Sequence, residues 1–337
     1  MIVVRLTSGL GNQMYQYSFY RLMKDLYPGT TVKIDTTWFN ANNDHHGYEI
    51  EKLFKNAKVK KAGFFDLFKV TGVIPNFLPG KAGRIFEKIR RYPNRIIRIF
   101  TERRTKQYTI DELSDDNIFE KVMNLDISKD WYIMGFFIEE AYLSSYMPKI
   151  DKHIDKSKLN DLMISAQYGG RLEKVRKYFK FKDIPYDEFS NDNYLKDIKT
   201  SESVSIHVRR GDYLSEQYSS KFIALGEDYY KKAVDYIKKN VENPRFFIFS
   251  DDAEYIGKAF SWLENKVIVT GNDGDKSYRD MQLMSKCKHN IIANSTFSQW
   301  GAILNSNPKK IVVYPEKYMV GCDTEIKRLP GYVRISL

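Results

Sequence analysis

From 203 to 208 the chain alternates, with Val204, Ile206 and Val208 set against Ser203, Ser205 and His207. That period-2 pattern predicts a strand. The same reading places strands at 3–6, 31–35, 131–134, 245–250, 266–269, 289–293 and 310–314. Between them apolar residues recur at helical spacing. Met14, Tyr17, Leu22 and Leu26 predict a helix over 13–26, and further helices are predicted over 227–240, 276–287 and 297–305. Strands and helices alternating in this way predict an α/β fold with parallel sheets and right-handed crossovers. Residues 40–150 are irregular and mostly helical. The polar, Lys- and Asp-rich stretch 151–200 is expected to hold the boundary between two domains, 1–195 and 196–337. No internal repeat or low-complexity segment interrupts them.

Composition narrows the class. At 337 residues with 42% hydrophobic and 15% aromatic content, the chain can build two cores and is not a disordered tail protein. No run reaches the roughly 18 apolar residues of a spanning helix. The opening MIVVRLTSGLGNQ reads as strand and turn rather than a signal peptide. Two cysteines, Cys287 and Cys322, are too few for a disulfide framework and lack metal-ligand spacing. A reducing, cytoplasmic setting is the expectation.

The formal charge of +11 is unevenly spread. Residues 52–106 hold sixteen Lys or Arg and three acids (Asp66, Glu87, Glu102), a local excess of +13, so the rest of the chain sums to about −2. Within this segment, isoleucines and phenylalanines interleave with arginines in RIFEKIRRYPNRIIRIF, the pattern of an amphipathic helix interrupted at Pro93. Two readings compete. In one, an ordinary helical subdomain packs its apolar face inward and leaves its basic face in solvent. In the other, the segment makes peripheral contact with an anionic membrane at its inner face. Nucleic acid is not expected as a partner, because no recognition fold accompanies the charge.

Four stretches carry candidate chemistry, each at a predicted strand end, where open α/β sheets bind ligands. SGLGNQM at 8–14 joins a strand to a helix and favours a tight turn beside a helix N-terminus. HVRRGDY at 207–213 brings Arg209 and Arg210, whose forked donors match phosphate oxygens. Gly211 closes that strand, where glycine turns at no steric cost. An ion pair with Asp212 accounts easily for one arginine but not for both. Phe249-Ser250-Asp251-Asp252 supplies paired carboxylates, suited to a metal, to a guanine edge or to capping the next helix. Asn294-Ser295-Thr296-Phe297-Ser298 delivers small donors to a helix start, again with capping as the plain alternative. Together they read as a site for a nucleoside diphosphate. A P-loop lysine motif and a G-x-G-x-x-G fingerprint are missing, which argues against NTPases and dehydrogenases.

The chain resembles the α-1,2-fucosyltransferases of glycosyltransferase family 11. The resemblance is carried by SGLGNQMYQYSFY at 8–20, YEIEKLF at 48–54, HVRRGDY at 207–213, FSDD at 249–252 and NSTFSQWGAIL at 294–304, in family order. It does not cover the basic segment, which is expected to be a helical insertion at about 52–106. The resemblance implies a GT-B-like fold, two Rossmann-like domains facing across a cleft, with an acceptor-side first domain and a GDP-sugar-binding second one.

By resemblance, the enzyme moves L-fucose with inversion from GDP-β-L-fucose to O-2 of a terminal galactose on an oligosaccharide or lipid-linked glycan, without a metal. Arg209 holds the pyrophosphate, with His207 and Arg210 supporting the strand end, and Arg209, His207 and Asp212 are the expected catalytic residues. Asp251 or Asp252 meets the guanine or ribose, and Asn294, Ser295, Thr296, Phe297 and Ser298 form the phosphate turn. Gly11, Asn12 and Gln13 approach from the first domain. For the acceptor base, Asp35, Asp212 and Glu216 stay open. Two alternatives remain: another nucleotide-sugar donor on the same fold, or an inactive scaffold of a membrane-associated glycan-assembly complex.

Two departures stand out. Residues 135–143 read GFFIEEAYL where the family commonly has a GYFQSEKYF-like stretch, which puts the acceptor in question. Gln299-Trp300 replaces a tryptophan pair beside the donor turn.

Overall fold

The computed structural model describes residues 1–42, 45–106, 108–111, 118–138, 168–182, 189–216, 218–320 and 331–336. The chain divides into two compact units, 1–182 and 183–337.

In the first unit the described elements are β1 (Ile2–Arg5), α1 (Leu10–Leu26), β2 (Val32–Asp35), α2 (Trp38–Ala41), α3 (Ile50–Leu53), α4 (Phe64–Thr71), α5 (Gly80–Ile89), α6 (Arg91–Lys106), β3 (Thr109–Asp111), α7 (Ile118–Met123), β4 (Trp131–Met134) and α8 (Tyr168–Tyr178). The four strands pair in parallel in the order β2-β1-β4-β3. β1 is apolar on both sides, as a central parallel strand requires: Ile2, Val3 and Val4 are fully buried. Helix α1 begins three residues earlier than the periodicity predicts. Ser8 rather than a glycine takes the left-handed conformation (φ 65°), so Gly11, Asn12 and Gln13 form the first turn of the helix instead of the loop.

The second unit contains α9 (Phe189–Thr200), β5 (Glu202–Val208), α10 (Glu227–Asn240), β6 (Pro244–Ser250), α11 (Ala253–Ala259), β7 (Lys266–Ile268), α12 (Tyr278–Met284), β8 (His289–Ile291), α13 (Thr296–Leu304), β9 (Val312–Pro315) and β10 (Val333–Ile335). Its six parallel strands run β10-β9-β8-β5-β6-β7. Numbered within the unit this is the doubly wound Rossmann order 3-2-1-4-5-6, with its topological switch between β5 and β8. The expected domain division after residue 195 would cut α9, which packs on β5 and α12.

Every residue of β5 from Ser203 to Val208 is buried. Val204, Ile206 and Val208 enter the main core beside Tyr229, Tyr230, Phe246 and Ile248. The polar row is covered too, and hydrogen bonds make that tolerable. Asn290 Nδ2 donates to Ser205 Oγ (2.8 Å) and the Lys288 amide to Ser203 Oγ (3.1 Å).

The basic segment is helical, but its faces are the reverse of the ordinary-subdomain reading. The break falls at Arg90, between α5 and α6, and not at Pro93. Proline is accommodated in the first turn of α6, where its missing N–H is not needed. Most large apolar residues of these helices face solvent: Ile85, Ile89, Tyr92, Ile96, Ile99 and Phe100 are exposed, while Phe86 and Ile97 are half-buried. No helix among the described residues is long and apolar enough to cross a membrane. Cys287 is a buried free thiol, while Cys322 and residues 139–143 of the departing GFFIEEAYL stretch lie outside the described residues.

Candidate donor site at the switch point

Register fixes which side chains meet at the carboxyl edge of the second sheet. His207 pairs with Phe249 and Val208 with Ser250, so extending the ladder sets Arg209 beside Asp251 and Arg210 beside Asp252. The side chains follow. Arg209 Nη1 lies 3.0 Å from Asp251 Oδ2 and its Nη2 donates to Asp212 Oδ2 at 2.8 Å. Arg210 donates its amide to Asp251 Oδ1 (3.0 Å), reaches Asp252 Oδ2 through Nε (3.4 Å), and stacks on the Tyr255 ring at 3.5 Å. Both arginines are therefore paired, against the expectation that ion pairing would account for only one.

Pairing does not exhaust Arg209. A guanidinium has five N–H donors, two carboxylates take one each, and the remaining three have no protein partner among the described residues. Desolvation works against its charge, but Asp251 and Asp212 more than offset this and hold it above the usual arginine range. The result is a fixed cation, 26% exposed, clamped from two sides. Gly211 is needed for the clamp rather than for the backbone conformation, since its φ is −31°. A Cβ there would stand 2.8 Å from Asp251 Oδ2.

Asp251 and Asp252 are occupied as well. Asp252 Oδ1 caps α11 by accepting from the Tyr255 amide at 3.0 Å. Neither carboxylate oxygen pair stands idle, so the expected guanine or ribose contact must share them.

Across the switch, α13 opens beside β5, and the His207 ring lies 5.7 Å from that of Phe297. Ser295 caps this helix by accepting from the Phe297 amide (3.3 Å). The buried Ser298 hydroxyl is spent on the Ala293 amide and the Ser295 carbonyl (both 3.2 Å), and Asn294 Nδ2 on the carbonyls of Ile223 and Tyr318 (2.8 and 2.9 Å). Three of the four polar side chains at 294–298 thus build the turn. What remains without a protein partner among the described residues is the Thr296 hydroxyl with the amides of Thr296 and Ser298. Helix-start N–H groups of this kind, at the same sheet edge as a fixed guanidinium, have the donor chemistry that suits a phosphate.

His207, expected among the catalytic residues, is only 5% exposed and its Nδ1 meets no partner. Burial, with a smaller push from Arg209, lowers it to about 3, so it is neutral near pH 7 and acts as a spacer under α13.

In the first unit, Gln13 is fully buried and its amide donates to the carbonyls of Ser8 (2.9 Å) and Gly47 (2.7 Å) while accepting from the Glu49 amide (2.9 Å). It positions the 8–13 turn and has no donor left for a ligand, correcting its expected role. Gly11 is buried, Asn12 half-buried, and α1 starts with no side-chain cap.

Asp35 is removed from the base candidates. It is 3% exposed, and its oxygens accept from Tyr132 Oη (2.6 Å) and the Thr37 amide (2.8 Å). Burial and this carboxylate both push the Tyr132 hydroxyl up, so it stays a donor. Tyr132→Phe leaves a buried carboxylate oxygen unpaired and is expected to cost about 1–3 kcal/mol, read as a lower denaturant midpoint for the variant. Asp212 keeps an unpartnered buried Oδ1, and Glu216 is exposed.

Periodicity hides one layer of the site. Buried hydroxyls satisfy successive strand-end carbonyls: Tyr230 donates to His207 (3.2 Å), Tyr229 to Ile292 (2.6 Å), Tyr318 to Ala293 (3.2 Å) and Tyr213 to Asn294 (2.8 Å). Gln299 donates to the Tyr318 hydroxyl, which gives the Gln-Trp departure a structural reason. The only sequence signal was 24 tyrosines in an otherwise ordinary composition.

Residues 111–321 match the profile of glycosyl transferase family 11. The chain belongs to that family. Over 322 residues it is 29% identical to an alpha-1,2-colitosyltransferase of Escherichia coli, covering 94% of this chain and 91% of that protein. Over 124 residues it is 44% identical to the O-antigen biosynthesis glycosyltransferase WbnK of Escherichia coli, covering 36% of this chain and 41% of WbnK. The stretch shared with WbnK therefore spans less than half of that relative. Among solved structures, NodZ alpha-1,6-fucosyltransferase soaked with GDP-fucose aligns at 16% identity over 91% of this chain and 96% of that one, with a TM-score of 0.45. The family match takes in all three strand-end stretches of the second unit, and those stretches carry the paired arginines and the α13 turn.

Proposed function

We propose that this family 11 glycosyltransferase moves L-fucose from GDP-β-L-fucose to O-2 of a terminal galactose on a surface glycan, with inversion. The observation that carries the reading is that the clamped Arg209 and the unpartnered N–H groups of α13 follow the neighbouring parallel strands β5 and β8 at one carboxyl edge, the switch point. Cleaving the sugar–phosphate bond builds charge on the departing GDP. A cation and helix-end donors held in place beforehand stabilise that charge without reorganising. In this reading Arg209, the Thr296 hydroxyl and the amides of Thr296 and Ser298 receive the diphosphate, and no metal is required. The acceptor hydroxyl attacks the opposite face of the sugar, so a β-linked donor gives an α-linked product.

A second donor is favoured by one observation, the near full-length likeness to a colitosyltransferase. Colitose is L-fucose without its 3-hydroxyl. Offering the GDP-linked forms of fucose, colitose and mannose with a galactose-terminated acceptor, and weighing the products by mass spectrometry, separates the readings. Fucosylated product with a 2-linkage is expected. Transfer of colitose alone replaces the donor, and transfer from none of the three ends the proposal.

A further inference from the structure

Helices α5 and α6 carry a solvent-facing apolar stripe. Ile85, Ile89, Tyr92, Ile96, Ile99 and Phe100 step by three or four residues along one face and are 44–82% exposed. The phase carries across the break at Arg90. The opposite face carries Gly83, Asn94 and Thr101 with the half-buried Phe86 and Ile97, and it is the face that anchors the helices. Gly83 lies so close to the Leu78 and Asn40 carbonyls that a Cβ would stand 2.0 and 2.5 Å from them. Asn94 accepts from the Ile74 amide (2.7 Å), and Thr101 donates to the Gly72 carbonyl (3.1 Å).

A cation precedes nearly every member of the stripe. Arg84, Lys88, Arg91, Arg95 and Arg98 form a parallel row about 100° round the helix, all exposed. Among the described residues none of the five pairs with an acid. Glu87, the one acid between 80 and 101, is held by Arg90 at 2.7 Å.

An exposed apolar patch of this extent marks an interaction surface. A second copy of this chain, stripe to stripe, would bring two rows of cations together with no acids between them. A bilayer of anionic phospholipids satisfies both rows at once, hydrocarbon beneath the stripe and headgroups beside the cations. We propose that α5–α6 is a membrane-docking surface that lies flat on an anionic phospholipid bilayer. The surface is independent of which sugar is transferred.

Flotation of the full chain with vesicles tests this. Co-flotation is expected with equal parts phosphatidylcholine and phosphatidylglycerol, to weaken with salt, and to be absent with phosphatidylcholine alone. Replacing three cations (Arg91→Gln, Arg95→Gln, Arg98→Gln) is expected to lower vesicle affinity on the order of 100-fold. Ile96→Ser with Ile99→Ser is expected to abolish flotation, with circular dichroism melting unchanged because these side chains face outward. No flotation on anionic vesicles, or flotation that both variants retain, overturns the proposal. So does sedimentation equilibrium showing a dimer that the serine variant splits, which would assign the stripe to a second copy.

Discussion

Arg209→Ala is expected to lower kcat/KM for the GDP-sugar by 10²–10³-fold, the usual loss when one preorganised donor to a developing anion is removed. Two effects add. The diphosphate loses a guanidinium whose three remaining N–H groups are free to meet it. Asp212 and Asp251, now 2.8 and 3.0 Å from that guanidinium, lose its countercharge and repel a diphosphate. The second effect is electrostatic and can be isolated. Asp251→Asn in the Arg209→Ala background removes part of the repulsion and is expected to recover about tenfold in GDP affinity by isothermal titration, whereas Asp251→Asn alone weakens binding by loosening the clamp. Arg209→Lys keeps a charge but not the fork, so it cannot hold both carboxylates and still offer donors. It is expected to bind GDP at a level between wild type and alanine. GDP binding by Arg209→Ala equal to wild type would remove the site.

The second large effect is on stability in acid. His207 is neutral in the folded protein, held at about 3, against an ordinary value of 6.5 in the unfolded chain. The unfolded state therefore takes up the proton first. Stability is complete above pH 6.5 and declines as pH falls from 6.5 toward 3. At pH 5 the gap corresponds to about 2 kcal/mol, which lowers Tm by several degrees in a unit of this size. Asp280 acts in the opposite sense. Desolvation raises it to about 7, against the hydrogen bond from Asn272 at 2.7 Å, so between 3.8 and 7 its contribution falls as pH rises. The two slopes partly cancel, and variants separate them. Calorimetry from pH 4 to 8 is expected to show a flatter acid limb for His207→Gln and a steeper one for Asp280→Asn. An acid limb in His207→Gln as steep as in wild type would mean that the histidine under α13 is not what acid attacks.

That histidine also illustrates how far a local pattern reaches. The period-2 alternation of 203–208 predicts a strand, and β5 is that strand. Whether His207 faces a ligand or a closed interior depends on Phe297, ninety residues later. The same holds for the clamp. Arg209, Asp212 and Gly211 are adjacent in sequence, but Asp251 arrives only through the β5–β6 register. β3 and β10, three residues each at the sheet edges, lie in no apolar run of the sequence and are strands only because a neighbour offers them a ladder.

By itself, the sequence determined the alternation of strands and helices, the strand ends where chemistry gathers, the family, and the +13 segment with its amphipathic spacing, because all of these depend on residues close together in the chain. Tertiary structure alone decided which face of α5 and α6 turns inward. Spacing separates a helix into two faces without saying which one meets protein, and here Gly83, Asn94 and Thr101 find backbone partners while Ile85, Ile89, Ile96 and Ile99 stay exposed. It also decided that both arginines are paired, that Gln13 and Ser298 are structural, and that Thr296 keeps its donors open, because hydrogen-bond partners are allotted in space and a one-dimensional pattern does not record who reaches whom.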